Sequence, residues 1–363
     1  MTHSAPPYVG NQPRSTRALL EWLGQGAAVA ARDPSIPIVD PHHHLFGTVG
    51  DHLFYELPDL QADLASGHRI IGTVYVEAYD SGWRTSGPEA MRPVGEVEKI
   101  VGLTREPLKL PGGPCHVAAG LVAHADLALG DAVQPVLDAE AEAARGRLRG
   151  IRHRTATVEG AVGRVGKGHP RPHLLVDPDF QRGVACLGAR GLSFDAWAYH
   201  TQLGEVIRLA DAVPQTTIVI NHVAGPIGVE EFREPRAEVL RQWEADLRAL
   251  AERPNIRMKI GGMGMALYGF GFEQRALPPT DMELAASWRP LIETCIGIFG
   301  TRRCMFESNF PVDKQSGSYG NLWNAFKIVA GGSSRDEKAD LFYRTACDVY
   351  RLPELRQAGD AAW

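Results

Sequence analysis

The sequence has few of the features that mark secreted or membrane proteins. Its five cysteines are isolated, with no Cys-x-x-Cys pair, and no apolar run reaches the roughly 18 residues of a membrane span. No basic segment followed by an apolar stretch marks an export signal near the N-terminus. Unpaired cysteines in odd number favour reduced thiols. We therefore expect a cytoplasmic protein that does not contact a membrane.

A large charge of one sign is also lacking. The chain has 38 Lys and Arg against 43 Asp and Glu, which gives a formal net charge of -5. This balance argues against nucleic acid as a partner, because nucleic-acid binding depends on a strongly basic surface. A small-molecule substrate is the partner that remains.

Short β-rich runs alternate with longer segments along most of the 363 residues. Eight runs are predicted as strands: 36–40, 70–78, 116–123, 147–153, 191–198, 216–222, 255–262 and 303–309. The intervening segments are long enough for crossover helices, and two of them have amphipathic spacing, 131–148 and 238–252. Eight strand–helix repeats predict an α/β fold of the (β/α)8 TIM barrel type. A doubly wound sheet is the alternative, but no glycine-rich phosphate turn follows its first strand.

Three divisions of the chain are predicted. They are an N-terminal arm with a short helix (1–35), the barrel (36–355) and a C-terminal tail (356–363). An arm of this kind can wrap around a second copy of the chain, so a homo-oligomer is left open.

Three connecting segments are too long for simple turns: 79–115, 155–180 and 263–288. Each follows a predicted strand and should overhang the carboxyl ends of the barrel strands, where long loops commonly carry function. The third contains Tyr268 among glycines and other aromatic residues. It is interpreted as a substrate lid, with a mobile surface loop as the alternative.

Three consecutive histidines follow the first strand in VDPHHHLF. Side chains alternate along a strand, so Asp40, His42 and His44 are expected on one face and His43 on the other. Two imidazoles two residues apart can bind one metal ion. Asp40 is placed to accept a hydrogen bond from the ring nitrogen that does not bind the ion.

Polar residues also follow other predicted strands. His200 follows the fifth strand, His222 the sixth, and Glu307 and Asn309 the eighth. In a barrel these ends meet at one mouth, which predicts a catalytic site. A structural role is the alternative for each residue taken alone.

The segments VDPHHHLF, FDAWAYHTQL, VINHVAGP and CMFESNFPVD resemble the amidohydrolase-related hydrolases of the amidohydrolase 2 type. The similarity extends over roughly residues 36–355 and is strongest to the lactonase-like branch, which includes sugar lactonases and pyrone-dicarboxylate lactonase. It implies a hydrolytic site at the carboxyl ends of the barrel strands. The family motif Asp-x-His-x-His falls on Asp40, His42 and His44, and the sixth-strand histidine falls on His222. The match at His200 is looser.

The sequence departs from this family at the eighth strand. The family usually has an aspartate there that takes a proton from the attacking water, and here the position is Asn309, which cannot act as a base. Glu307 lies two residues earlier on the same face. The hypothesis is that Glu307 replaces the aspartate and Asn309 orients water or substrate. A buried ion pair of Glu307 with Arg152 or Lys259 is the alternative.

The resemblance also bears on metal and substrate. His42, His44 and His222, or His200, could hold Zn²⁺ or another divalent ion, and metal-independent hydrolysis is left open. The candidate substrate-binding residues are Glu77, His124, Arg152, Arg154, Lys259 and Tyr268. An arginine at the mouth favours an anionic substrate. The leading interpretation is a hydrolase that opens a lactone or related cyclic ester. The alternatives are a metal-dependent decarboxylase of an aromatic acid and a catalytically impaired barrel that only binds a ligand.

Overall fold

The computed structural model describes residues 7–27, 29–79, 81–165 and 170–363, and it confirms the predicted (β/α)8 barrel. The strands are β1 Pro37–His43, β2 Arg69–Val76, β3 Leu108–Leu110, β4 Gly113–Ala123, β5 Leu148–Ile151, β6 Ser193–Ala196, β7 Ile218–Ile220, β8 Ile256–Ile260 and β9 Cys304–Phe306. Eight of them form a parallel sheet in the order β1-β2-β4-β5-β6-β7-β8-β9. Every predicted strand is present. The unpredicted strand β3 pairs antiparallel with β4.

Helices separate the strands. Their bounds are α1 Thr16–Leu23, α2 Leu57–Leu64, α3 Val94–Leu103, α4 Gln134–Ala143, α5 Ala161–Val165, α6 Pro178–Ala189, α7 Leu203–Ala212, α8 Arg236–Ala251, α9 Asp281–Phe299, α10 Tyr319–Val329, α11 Arg335–Ala339, α12 Thr345–Val349 and α13 Pro353–Ala362. Local capping sets several starts: Asp177 accepts hydrogen bonds from the first turn of α6, and Thr280 forms a capping box with Glu283 at α9.

The barrel closes between the last strand and the first. The His44 N–H donates to the Phe310 carbonyl at 2.8 Å, and the Asn309 N–H donates to the His42 carbonyl at 2.9 Å. These bonds lie just beyond the end of β9. They hold the histidines after β1 against the polar residues after β9, which is where the site forms.

Two apolar clusters stabilise the barrel. The larger one lies between the strands and the surrounding helices. The smaller one fills the barrel interior with the side chains of Val39, Val122, Val219 and Met305, among others, and includes residues of the C-terminal helices such as Leu355. These helices close the amino-terminal end of the barrel.

The ends of the chain pack on the barrel. In the arm, Asn11 Oδ1 accepts a hydrogen bond from the Leu267 N–H at 3.2 Å, so this segment lies on the loop after β8. At the other end, the predicted boundary between residues 355 and 356 falls inside α13. A Cβ added at Gly72 of β2 would lie 2.3 Å from Leu355 Cδ1, which shows how closely this helix approaches the sheet.

The three long segments contain regular structure. Segment 79–115 includes α3 and β3, segment 155–180 includes α5, and α9 begins within segment 263–288. Residues 80 and 166–169 lie outside the described residues. In the third segment Tyr268 and Phe272 are buried, so this part of it is not a mobile surface loop. In the part of the chain that the structure describes, no helix is long and apolar enough to cross a membrane.

A buried carboxyl on α3 predicts a pH-dependent stability. Glu96 accepts hydrogen bonds from Tyr75 Oη at 2.7 Å and Trp83 Nε1 at 3.1 Å. Burial, and then the charge of Glu77, raise the pKa of Glu96 from 4.5 to about 7. The folded state therefore holds this proton more tightly than the unfolded chain. The resulting stabilisation is complete below pH 4.5 and is lost as the pH rises through 7.

We expect Glu96→Gln to remove this dependence, because glutamine does not titrate. Relative to the wild type, the variant should gain up to about 3 kcal/mol of unfolding free energy between about pH 5 and about pH 8. Urea unfolding at the two pH values measures the difference. An unchanged difference between the two proteins at both pH values would contradict the assignment.

Candidate active site

Three side chains from separate parts of the barrel meet at its carboxyl end. His42 lies in β1, His222 is the second residue after β7, and Glu307 is the first residue after β9. Glu307 Oε2 lies 2.7 Å from His42 Nδ1, and Oε1 lies 2.7 Å from His222 Nδ1. The His222 N–H also donates to Glu307 Oε1, at 3.0 Å. All three residues are buried, so one carboxylate joins two imidazoles away from water.

Two glycines after β8 make room for this group. A Cβ added at Gly261 would lie 2.4 Å from Glu307 Cγ, and one added at Gly262 would lie 2.5 Å from the His222 ring. Gly262 also has a φ of 70°, a left-handed conformation that disfavours other residues. The Gly-Gly pair in RMKIGG is therefore required by the side chains that it faces.

We expect Gly262→Ala to damage the site and the fold together. A left-handed alanine costs roughly 1–2 kcal/mol, and the clash with His222 should add about 1–3 kcal/mol. Gly271→Ala is the matched control, since Gly271 has a φ of 72° but no atom within 4 Å of the added Cβ. Guanidinium unfolding gives the free energy of unfolding of both variants. The loss in Gly271→Ala measures the backbone strain alone, and the additional loss in Gly262→Ala measures the clash with His222. Equal destabilisation would show that the close contact with His222 is not present.

Two buried ion pairs flank His42. Arg152 Nε donates to Glu77 Oε1 at 2.6 Å, and Lys259 Nζ donates to Asp195 Oδ2 at 2.8 Å. The same cations reach the imidazole: Arg152 Nη1 lies 3.2 Å from its Nε2, and Lys259 Nζ lies 3.3 Å from its Nδ1. One fixed positive charge therefore lies beside each ring nitrogen of His42, while the Glu307 carboxylate lies beside Nδ1.

Glu307 contacts His42 and His222 and is not part of either ion pair. The sequence left open a buried pair of Glu307 with Arg152 or Lys259. That alternative is wrong, because each of these cations has its own carboxylate and Glu307 faces imidazoles.

The environment keeps the histidines of the site neutral. Burial lowers the pKa of His42 well below 6.5, and the charge of Lys259 lowers it further. Burial lowers the pKa of His222 as well, although Glu307 opposes this shift. A neutral imidazole has one unprotonated nitrogen, which can accept a proton or bind a metal ion.

His44 and Asp40 lie differently from the prediction. His44 Nδ1 donates to the Val76 carbonyl at 2.8 Å, and its Nε2 lies 3.2 Å from His42 Nε2. His44 therefore contacts His42 but is not in the three-donor group with His222. Asp40 does not hold an imidazole: it accepts from the backbone N–H of His42 and of Ser308. The register of β1 is irregular between Asp40 and His43, so the expected alternation does not continue to His44.

Three further predicted residues lie outside the three-donor group. Asn309 Nδ2 donates to Asp313 Oδ1 at 2.7 Å, so its amide is already paired. The Tyr268 hydroxyl donates to the His222 carbonyl and fixes that backbone. His200 is not brought into the cluster: it begins a 3-10 turn after β6, and its Nδ1 accepts from the Ile227 N–H at 3.3 Å.

The remaining candidates form one side of the mouth. Arg154 Nε lies 3.4 Å from Glu77 Oε1, and its side chain is 23% exposed. Burial alone would raise the pKa of Glu77, but Arg152 and Arg154 beside it lower it to about 2. His124 Nδ1 lies 3.2 Å from the Arg152 carbonyl, and its ring stacks on that of Trp83 at 5.3 Å. The Arg154 guanidinium is the more exposed of the two arginines.

Sequence reasoning missed two residues of the inner layer. Asp195, in the middle of β6, binds Lys259 and also accepts from the Tyr350 hydroxyl at 2.8 Å. A carboxylate inside an otherwise apolar strand is an available signal, since such a group needs a buried partner. Tyr350 carries no such signal, because it lies far along the chain in a helical segment.

The chemistry of the donor set fits a divalent metal. His42, His222 and Glu307 offer two imidazole nitrogens and one carboxylate oxygen within 4.8 Å of one another. Three buried donors of this kind are a common set for a catalytic zinc ion that keeps one coordination position open. Glu307 thus takes the place that the sequence assigned to His44.

Comparison with known proteins places the chain in a family. Residues 114–352 match the family model described as amidohydrolase. The uncharacterised protein y4mH of Sinorhizobium fredii is 30% identical over 339 residues, 87% of this chain and 99% of the relative.

A characterised relative matches over a shorter length. L-fucono-1,5-lactonase of Burkholderia multivorans is 30% identical over 183 residues, which cover 50% of this chain and 59% of that enzyme. A crystal structure of a Burkholderia multivorans amidohydrolase with bound zinc has the same fold, with a TM-score of 0.65 and 23% identity over 87% of this chain and 99% of that one. The chain belongs to the amidohydrolase family.

Proposed function

We propose that this protein hydrolyses a lactone or related cyclic ester of a small anionic substrate, using water activated at the carboxyl end of the barrel. One observation carries the proposal: a single buried carboxylate lies 2.7 Å from Nδ1 of both His42 and His222. The similarity to an L-fucono-1,5-lactonase over half of the chain supports the choice of a lactone.

The hydrogen bond between His222 and Glu307 supports His222 as the base. A carboxylate only accepts hydrogen bonds, so His222 Nδ1 carries the proton that it shares with Glu307, and Nε2 is unprotonated. His222 Nε2 then takes a proton from the attacking water, while Glu307 stabilises the imidazolium that forms. Both Glu307 oxygens contact imidazoles, so we assign Glu307 to this positioning role rather than to direct proton transfer from water.

The next requirement is stabilisation of the negative charge that develops on the carbonyl oxygen. Arg152 and Lys259 lie within 3.3 Å of the His42 ring nitrogens and supply fixed positive charge in a water-poor site. We propose zinc as the ion that His42, His222 and Glu307 would hold. With zinc bound, His222 would be a ligand, so the base role given to its Nε2 applies to the metal-free site. A bound zinc ion would supply a Lewis acid that polarises the carbonyl.

The anionic part of the substrate is assigned to Arg154. Arg152 donates through all three guanidinium nitrogens to Glu77 and toward His42, so it has little capacity left for a ligand. Arg154 has one long contact to Glu77 at 3.4 Å and a partly exposed side chain. Its terminal nitrogens can bind a carboxylate in two-point fashion.

The test is a panel of sugar lactones and carboxylate-bearing lactones, with acid release followed in a pH-stat and zinc content measured on the same protein. We expect acid release, and Arg154→Gln should raise KM for carboxylated lactones about tenfold or more with little change in kcat. Release of CO2 from an aromatic acid would support a decarboxylase instead. Tight ligand binding without turnover would support a barrel that only binds.

A further inference from the structure

A groove lies at the end of the barrel opposite to the catalytic mouth. It has a volume of about 570 Å³ and is bordered by the amino ends of β4 and β5, the segment between α3 and β3, and the start of α13. This volume is within the range of small-molecule sites in proteins. The catalytic cluster follows the carboxyl ends of the strands, so the groove cannot serve the reaction directly.

Positive charge dominates the groove. Four arginines line it, Arg105, Arg145, Arg147 and Arg149, and the carboxylates that line it are Glu106 and Glu354. Four positive charges against two negative ones leave an excess of two. Within the described ranges of the chain, no carboxylate lies within salt-bridge distance of any of the four guanidinium groups. The chain as a whole carries a net charge of -5, so this excess is local.

Two of the arginines are held in place by the fold. Arg147 Nη1 donates to Thr104 Oγ1 at 2.9 Å and to the Ala118 carbonyl at 3.2 Å. Arg149 Nη1 donates to the Gly146 carbonyl at 2.7 Å, while its buried Nε has no partner among the described residues. Fixed guanidinium groups bind an anion with little further loss of side-chain entropy.

The arginines also repel one another. Burial lowers the pKa of Arg147, and the charge of Arg145 lowers it further. Burial and the charge of Arg351 act in the same way on Arg149. An anion bound beside these arginines would stabilise their charged forms. It would replace hydrogen bonds lost with water and would offset the repulsion between like charges.

The groove also has apolar walls, formed by Val101, Pro107, Val117, Leu352 and Leu355. Four arginines around one groove suit a group with several negative charges and oxygens, such as phosphate. The apolar walls suit an organic part of limited polarity. We propose that this groove binds a small-molecule phosphate ester with an apolar or aromatic organic part, at a site separate from catalysis.

A polymer such as RNA is the weaker candidate. The four arginines border one groove of about 570 Å³, whereas nucleic-acid binding requires a basic surface that extends along the polymer.

The test uses ADP as the probe, with adenosine as the phosphate-free comparison, in isothermal titration calorimetry of the full chain. The variant is Arg105→Gln with Arg145→Asn. Both side chains are exposed, and asparagine tolerates the left-handed φ of 49° at position 145. Arg208→Gln is the control, on the exposed face of α7 away from the groove.

We expect ADP to bind the wild type and Arg208→Gln equally, and the double variant to bind it about tenfold or more weakly. Adenosine should not bind measurably. Equal ADP affinity in all three proteins, absence of ADP binding to the wild type, or equal binding of adenosine would overturn the proposal. Loss of ADP binding in Glu307→Gln would place the ligand at the catalytic mouth and would overturn it too.

Discussion

Glu307→Gln is expected to lower kcat by about a thousandfold while substrate binding changes little. Glutamine is neutral and offers one acceptor oxygen and an NH2 group in place of a carboxylate that faces Nδ1 of both histidines. It therefore cannot stabilise the imidazolium that forms on His222 as Glu307 does. The comparison of kcat and KM with the best lactone of the panel measures this effect.

A matched control is available in Glu140→Gln. Glu140 is also fully buried, but it lies on α4, outside the site, and burial raises its pKa well above 4.5. Burial therefore favours the protonated, uncharged carboxyl in the folded protein. Glutamine is also uncharged and of similar size, so this variant should preserve activity. Retention of more than about a tenth of the wild-type kcat in Glu307→Gln would contradict the role assigned to the carboxylate.

Lys259→Met is expected to destabilise the protein by about 3–5 kcal/mol. Lys259 and Asp195 are both fully buried within the barrel, 2.8 Å apart. Removal of the lysine leaves the Asp195 carboxylate in the interior without a counter-ion. Chemical unfolding of the wild type and the variant measures the loss.

Two comparisons make this result specific. The double variant with Asp195→Asn should be more stable than Lys259→Met alone, because the unpaired charge is gone. Arg253→Met breaks the surface pair with Asp211, whose side chain is 55% exposed, and should cost less than about 1 kcal/mol. A loss below about 1 kcal/mol in Lys259→Met would contradict a buried, unscreened pair.

The barrel could be predicted because its parallel strands are buried on both faces. Such strands appear in the sequence as short apolar runs, and all eight were placed correctly. Several predicted runs extend past the observed strand ends: the run 191–198 contains β6, which is only Ser193–Ala196. The backbone of the additional residues no longer pairs with neighbouring strands. Those that follow a strand lie at the mouth of the barrel, beside the site.

The site could be predicted only where a residue lies directly at the end of a strand. His222 and Glu307 lie within two residues of the ends of β7 and β9, so the order of the strands brings them together. His44 could not be placed, because the irregular register of β1 breaks the two-residue period on which its position depended. The partner of Lys259 could not be identified either, because Asp195 lies two strands away across the barrel interior.

A crystal structure of the wild-type protein is expected to show density for the Glu307 carboxylate between the rings of His42 and His222, within hydrogen-bond or shared metal-ligand distance of both. A Glu307 side chain directed elsewhere, with its oxygens more than about 5 Å from either ring, would contradict it.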